Sequence, residues 1–256
     1  MDLKKVMAEL EELIRDIGKY QLTRFNQEIK IETKLNSSDL VTEVDKISEE
    51  KITDYIREKY PTHSILAEES GKIDKGADYR WIIDPLDGTN NYAHGFSIFT
   101  ISIALEYKGQ TVLGAVYYPK QDELFTAIRG EGAYLNGNRI RVTDREDLSQ
   151  ALLATGFPYS LIDMDYSLKL FNNIVKKAQG IRRTGSAAFD LCNLARGSFD
   201  GFWELGLSLW DIAAGKLIVE EAGGRVIIFS RENGFSLVAG NKIIAGVLLR
   251  EIKSLG

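Results

Sequence analysis

The chain has 256 residues, 44% of them hydrophobic and 27% charged, with a formal net charge of −5. That length allows one large domain or two small ones, the net acidity argues against non-specific nucleic-acid binding, and no run of about 18 apolar residues is present to cross a bilayer. One cysteine, Cys192, leaves no intrachain disulfide or CxxC motif and suits a cytoplasmic setting, and with only two histidines, His63 and His94, any metal should be hard and oxygen-bound, which points toward magnesium.

The first segment, "MDLKKVMAELEELIRDIGKY", sets Leu3, Val6, Met7, Leu10, Leu13, Ile14 and Ile17 on one face. It predicts an amphipathic helix and differs from the continuous apolar core of a signal peptide. A polar stretch follows to Thr42, and Val44, Ile47, Ile52, Tyr55 and Ile56 then recur at helical spacing up to Tyr60, just before Pro61. "SILA" and "YRWII" have strand length and deliver acids at their ends, Glu68 and Glu69 in one case and Asp84 in the other. Between them "SGKIDKGAD" reads as a mobile polar loop. "FTISIALEY", "TVLGAVYY" and "DELFTAI" predict further strands, and Asn136-Gly137 predicts a tight hairpin turn, so the middle of the chain is expected as an antiparallel sheet. Past about residue 145, helical patterns near Asp163 to Lys177, Ser186 to Arg196 and Ser208 to Ala222 alternate with strands such as "RVIIF". Without a low-complexity linker or internal repeat, residues 1–256 are expected to form one domain with sub-regions of about 1–145 and 146–256.

The unusual feature is the set of acids at element ends beside apolar runs: Glu68, Glu69, Asp84, Asp87, Glu204 and Asp211. Clustered carboxylates repel one another unless a cation neutralises them, and magnesium takes a few carboxylate oxygens plus water and phosphate. In "DPLDGT", Pro85 stiffens the backbone and Gly88 permits a sharp turn. The amides of Gly88 and Thr89 would face an anion if a helix starts there. The plainer alternatives are side-chain turns for Asp84 and Asp87, helix caps for Asp45 and Asp211, a solvated strand end for "EES" and a solvated loop acid for Glu204. His94 is expected as a structural hydrogen-bonder, and Arg182 and Arg183 as a solvated basic pair, with contact to a charged substrate or a partner subunit as the alternative.

"DLVTEVD", "AEES", "WIIDPLDGTNNY", "TGSAA", "ELGL" and "WDIAAGKLIVEEAGG" together resemble the inositol monophosphatase family of magnesium-dependent, lithium-sensitive phosphatases, which shares its fold with fructose-1,6-bisphosphatase. The resemblance runs from near residue 40 to near residue 224. It implies an α/β fold of the α+β type, layered α/β/α/β/α, with an antiparallel sheet in the first half and a mixed sheet in the second, and it implies a homodimer. By the same resemblance Glu68, Asp84 and the Leu86 carbonyl hold one magnesium, and Asp84, Asp87 and Asp211 a second. A third, weaker ion lies near Glu68. Asp45 and Thr89 are the pair that activates water, Gly88 and Thr89 amides meet the phosphate, and Gly185, Ser186, Ala187, Glu204 and Asp211 line the alcohol side. Tight helix packing is the alternative role for Ala187.

The resemblance favours a small phosphorylated polyol, inositol 1-phosphate, as substrate. Asn90 stands where the adenosine bisphosphate and histidinol phosphate branches commonly carry Lys. Trp203 replaces a smaller aromatic and Asn90 a frequent Thr, so specificity is the open part. Fructose 1,6-bisphosphate, adenosine bisphosphate, histidinol phosphate and NADP are the alternative substrates. A regulatory binding protein retaining the fold is the alternative from another class.

Overall fold

The computed structural model describes residues 1–34, 39–158, 161–231 and 234–254. Asp2 caps helix α1 (Leu3–Arg24) by accepting from the Lys4 and Lys5 N–H groups, and the predicted stripe is buried at Val6, Met7, Leu10, Ile14 and Ile17. The helix runs past Tyr20, and this extra turn carries the buried Gln21. Strands β1 (Ile31–Thr33) and β2 (Leu40–Thr42) pair antiparallel, while residues 35–38 of the polar stretch lie outside the described residues. Helix α2 (Glu43–Lys59) starts on a capping box formed by Thr42 and Asp45 and ends at Tyr60.

The next elements are β3 (Ser64–Ala67), β4 (Gly71–Ile73), β5 (Tyr79–Asp87), α3 (Thr89–Ala93), β6 (Thr100–Tyr107), β7 (Gln110–Tyr118), β8 (Glu123–Ile128), β9 (Gly132–Leu135) and β10 (Asn138–Arg139). Their strands form an eight-stranded sheet in the order β10-β9-β8-β7-β6-β5-β3-β4. Pairing is antiparallel throughout save for β3 with β5, which run parallel. Asn136 and Gly137 both have positive φ, 47° and 77°, as the predicted hairpin turn requires. Part of the segment expected as a loop is strand β4, which closes the sheet edge and packs Ile73 against the core.

The second half supplies β11 (Leu152–Thr155), α4 (Leu161–Ile174), β12 (Gly180–Arg182), α5 (Ala187–Ala195), β13 (Gly201–Leu207), α6 (Leu209–Glu221), β14 (Arg225–Arg231), β15 (Gly234–Gly240) and α7 (Lys242–Lys253). The sheet order is β12-β11-β13-β15-β14, with parallel pairs at β11 and antiparallel pairs at β15. Helices α1 and α2 cover one face of the large sheet, α5 and α6 fill the space between the sheets, and α4 and α7 cover the outer face of the small one. The result is the α/β/α/β/α layering expected from the sequence. Between the sheets, Ile212, Ala213, Ala214, Leu217 and Ile218 of α6 are buried with Ala104 and Val116 on one side and Leu237 and Ala239 on the other. A helix enclosed from both sides must be apolar around most of its circumference, which explains why "WDIAAGKLIVEE" shows so little amphipathic contrast.

Candidate active site

Strand β5 does not end at Asp84 as the run of apolar residues suggests. It continues to Asp87 with a register shift against β6 between Asp84 and Asp87, so Pro85 and Leu86 form a bulge. Proline has no N–H for the ladder and is tolerated there for that reason. The bulge is pinned from two sides. Asp84 Oδ1 accepts from the Leu86 N–H at 3.0 Å, and the Pro85 carbonyl accepts from the Gln21 amide at 2.8 Å. Gly88 follows with φ of 97°, and a Cβ there would press on the Ile98 carbonyl at 2.9 Å, so this position needs glycine. Helix α3 then begins at Thr89.

Above this bulge lies a crevice lined by Glu68, Asp84, Leu86, Asp87, Gly88, Thr89, Gly185, Ser186, Ala187, Glu204 and Asp211. These residues come from the β3–β4 turn, the β5 bulge, the start of α5, strand β13 and the start of α6. Asp45 does not line the crevice. It is fully buried behind Thr89, whose hydroxyl donates to Asp45 Oδ1 at 2.7 Å. The Leu86 side chain belongs to the core, and its carbonyl lies 3.0 Å from the Thr89 hydroxyl.

Each acid has its own partners. Lys34 Nζ lies 2.8 Å from Glu68 and 2.6 Å from Glu69. Asp87 Oδ2 accepts from the Ser186 hydroxyl at 2.6 Å and from the Ala188 N–H at 2.7 Å, which ties the bulge to the N-terminus of α5. Asp211 Oδ2 accepts from the Ser208 N–H at 2.6 Å. Glu204 sits on strand β13 with its carboxyl enclosed, which rules out the solvated-loop role. Its oxygens fill the space over Gly156, where any Cβ would overlap them.

Burial pushes every one of these carboxyls up. Asp84 is raised well above the usual carboxylate range by burial and then by repulsion from Glu68, Asp87 and Asp211. Asp211 is raised by burial and by Asp87 and Glu68. For Asp87 the hydrogen bonds from Ser186 and the α5 amides oppose the effect of burial, and for Glu68 the Lys34 ammonium does. Burial takes Asp45 to about 6 against the hydrogen bonds from Thr42 and Thr89. Glu204 is pushed up to about 8 by burial and by the nearby Asp190, with Arg183 acting in the opposite direction.

Among the described residues, no three acids, histidines or cysteines are grouped as a metal-holding set in the present side-chain arrangement. Asp84 instead sits among Glu68, Asp87 and Asp211, which repel it, and a divalent cation among those oxygens would relieve the repulsion. The donors are all oxygens, with no thiolate or imidazole among the lining residues, so the set fits magnesium.

Several residues in or beside the crevice gained their place only from the fold. Asp190 is buried in α5 and accepts from the Thr184 hydroxyl at 2.7 Å. An acid inside the apolar stretch "AAFDLCNLA" was its signal. Arg182 and Arg183 are both exposed, as a solvated pair would be, and Arg183 also borders the crevice. Lys34 and Gly156 gave no local signal. His94 is exposed at the end of α3 and does not line the crevice, and Cys192 is buried in the core.

A family model described as the inositol monophosphatase family matches residues 2–254. The chain is 47% identical over 228 residues to the Nus factor SuhB of Pseudomonas aeruginosa, covering 85% of this chain and 84% of that protein. The crystal structure of the extragenic suppressor protein suhB from Bartonella henselae superposes with a TM-score of 0.90 at 38% identity, over 97% of this chain and 98% of that one. The inositol monophosphatase from Anabaena (Nostoc) sp. PCC 7120 superposes with a TM-score of 0.84 at 36% identity, over 100% of this chain and 98% of that one.

Proposed function

The chain belongs to the inositol monophosphatase family, and on that premise we propose that it is a magnesium-dependent phosphomonoester hydrolase that converts inositol 1-phosphate to inositol and phosphate. The observation that carries this reading is the meeting of Glu68, Asp84, Asp87 and Asp211 in one crevice beside the 2.7 Å bond from Thr89 to Asp45. Glu68, Asp84 and the Leu86 carbonyl would hold one ion and Asp84, Asp87 and Asp211 another. Bound magnesium would spread the charge of the transferring phosphoryl group and lower the pKa of a bound water.

The chain's own residues supply position and proton transfer. With its hydrogen donated to Asp45, the Thr89 oxygen keeps its lone pairs for a water proton, so the water's lone pair is aimed away from Thr89. Asp45, near 6, is ionised at neutral pH and accepts the proton that Thr89 relays. The amides of Gly88 and Thr89 open α3 and face phosphate oxygens. Gly185, Ser186 and Ala187 border the leaving alcohol, and Glu204 and Asp211 meet its hydroxyls. The Ser186 hydroxyl donates to Asp87, so its part is to orient that acid.

A substrate panel tests the assignment: inositol 1-phosphate, fructose 1,6-bisphosphate, adenosine 3',5'-bisphosphate, histidinol phosphate and NADP, each assayed with and without magnesium. Preference for inositol 1-phosphate supports the reading, and a strong preference for another member of the panel overturns it. The name Nus factor carried by relatives 45–48% identical favours a second reading, a macromolecular binding role. Asp84→Asn separates the two, because a binding role that survives it unchanged is independent of the metal chemistry. The family also supports a homodimer in the cytoplasm. Sedimentation reads the dimer directly, and no described helix is long and apolar enough to cross a membrane.

A further inference from the structure

Helix α2 carries three buried polar side chains within two turns, Asp45, Ser48 and Glu49. Asp45 meets Thr89, and Ser48 meets the Gln21 amide that also holds the Pro85 carbonyl. Glu49 is only 3% exposed and points elsewhere. Its Oε2 accepts from the Glu69 N–H at 2.8 Å and its Oε1 from the Ser70 N–H at 2.7 Å. Both amides belong to the turn between β3 and β4, beyond the last ladder pair, Ala67 with Gly71. Glu68 is the first residue of that turn.

We propose that Glu49 is a positioning residue whose carboxylate clamps the Glu68-Glu69-Ser70 turn and so sets the affinity of the acidic crevice for a divalent cation. The inference rests on the functional reading above, in which Glu68 is a ligand. The residue type follows from geometry. Two neighbouring N–H groups need two acceptor oxygens at fixed separation, which a carboxylate supplies and an amide does not, because glutamine would turn an NH2 toward one of the donors. Aspartate has the two oxygens but one methylene less reach. Charge alone would disfavour an acid here, since Glu49 repels Glu69 and lies beside an already acidic turn. The two amide bonds compensate for that repulsion, and they leave both donors paired where the turn is only partly exposed to water. Because Asp45 and Glu49 are four residues apart on one helix, the water-activating pair and the Glu68 turn are set by a single rigid element.

The test uses the full chain stripped of metal and titrated with Mn2+, free ion being read by its electron paramagnetic resonance signal. Wild type, Glu49→Gln, Glu68→Gln and the double variant are compared, with circular dichroism confirming the fold of each. Glu49→Gln is expected to weaken Mn2+ binding about 10-fold, as loss of a ligand's supporting partner does. In the double variant the affinity should match that of Glu68→Gln alone, because a group acting through Glu68 has nothing left to position. The kcat of Glu49→Gln alone should return to within about twofold of wild type at saturating magnesium, the loss appearing in the magnesium requirement. Glu49→Asp keeps the charge and serves if Glu49→Gln does not fold, with weakened binding again expected. Unchanged affinity in a folded Glu49 variant overturns the inference alone, as does a loss that adds in full to that of Glu68→Gln. A wild-type chain that binds no Mn2+ overturns the functional reading and the inference with it.

Discussion

Helices α2 and α6 begin on the same local device, a hydroxyl residue at the cap and an aspartate three positions on, yet their aspartates end in different surroundings. Asp45 has both oxygens engaged: Oδ2 accepts from the Thr42 N–H at 2.9 Å and Oγ1 at 2.5 Å, and Oδ1 from Thr89 at 2.7 Å. Asp211 makes one such bond among the described residues, from the Ser208 N–H, and otherwise faces Asp87 and Glu68, which repel it. A capping box therefore fixes one carboxylate oxygen and leaves the other to the tertiary structure. The same sequence pattern yields a partnered base in one place and a cation-seeking acid in the other.

The sharpest way to break this comparison is to neutralise each aspartate while keeping its cap. Asp211→Asn retains an oxygen for the Ser208 N–H, so the helix start survives, but phosphatase activity is expected to fall about 10³-fold. Metal-free thermal stability should rise, because burial and like charges raise the Asp211 pKa and its ionised form is disfavoured in the fold above the unfolded value. A lower Tm for the metal-free variant would contradict the picture of an unpaired acid. Asp45→Asn removes the proton acceptor and is expected to lower kcat about 10²-fold. The wild-type pH profile should lose activity as pH falls through about 6, where Asp45 protonates, and the variant should lack that limb.

Glu204 extends the contrast to a third acid, half-buried in the crevice wall. Its folded pKa of about 8 lies above the unfolded value of 4.5, so its contribution to stability is greatest at low pH and is lost as pH rises through that interval. Glu204→Gln should flatten this decline and raise the metal-free Tm at pH 8 by about 2–4 °C, as about 1 kcal/mol does in a chain of this size. Differential scanning calorimetry between pH 5 and pH 8.5 reads the effect. The smallest expected difference lies at the caps themselves. Thr42→Ala removes an oxygen bonded to the Val44 N–H and to Asp45 and should cost about 1–2 kcal/mol. Ser208→Ala leaves the 2.6 Å backbone bond to Asp211 intact and should cost less in the same denaturant titration.

The sequence carried the local half of this account. Capping boxes, the Asn136-Gly137 turn and the stripe of α1 are patterns within a few residues, and the structure bears them out. The joint motifs also identified the family and its layered architecture. What escaped was set by distant partners. The parallel pairing of β3 with β5 depends on β4 turning out to the sheet edge, and the continuation of β5 through Pro85 depends on a bulge against β6. Gly156 matters only because Glu204, far along the chain, occupies the space a side chain would need. Lys34 looked like any lysine in a polar stretch until the fold set it 2.8 Å from Glu68. Arg182 ends β12 while Arg183 lies just past it, and of the two adjacent, chemically identical residues only Arg183 lines the crevice.

The most direct measurement is the initial rate of phosphate release from inositol 1-phosphate after exhaustive chelation, followed by a magnesium titration of the same sample. The account predicts no measurable hydrolysis in chelator, full recovery on adding magnesium, and no recovery in Asp84→Asn. Hydrolysis that persists through chelation, or that magnesium restores in Asp84→Asn as in wild type, would contradict the claim that the crevice acids work by holding metal.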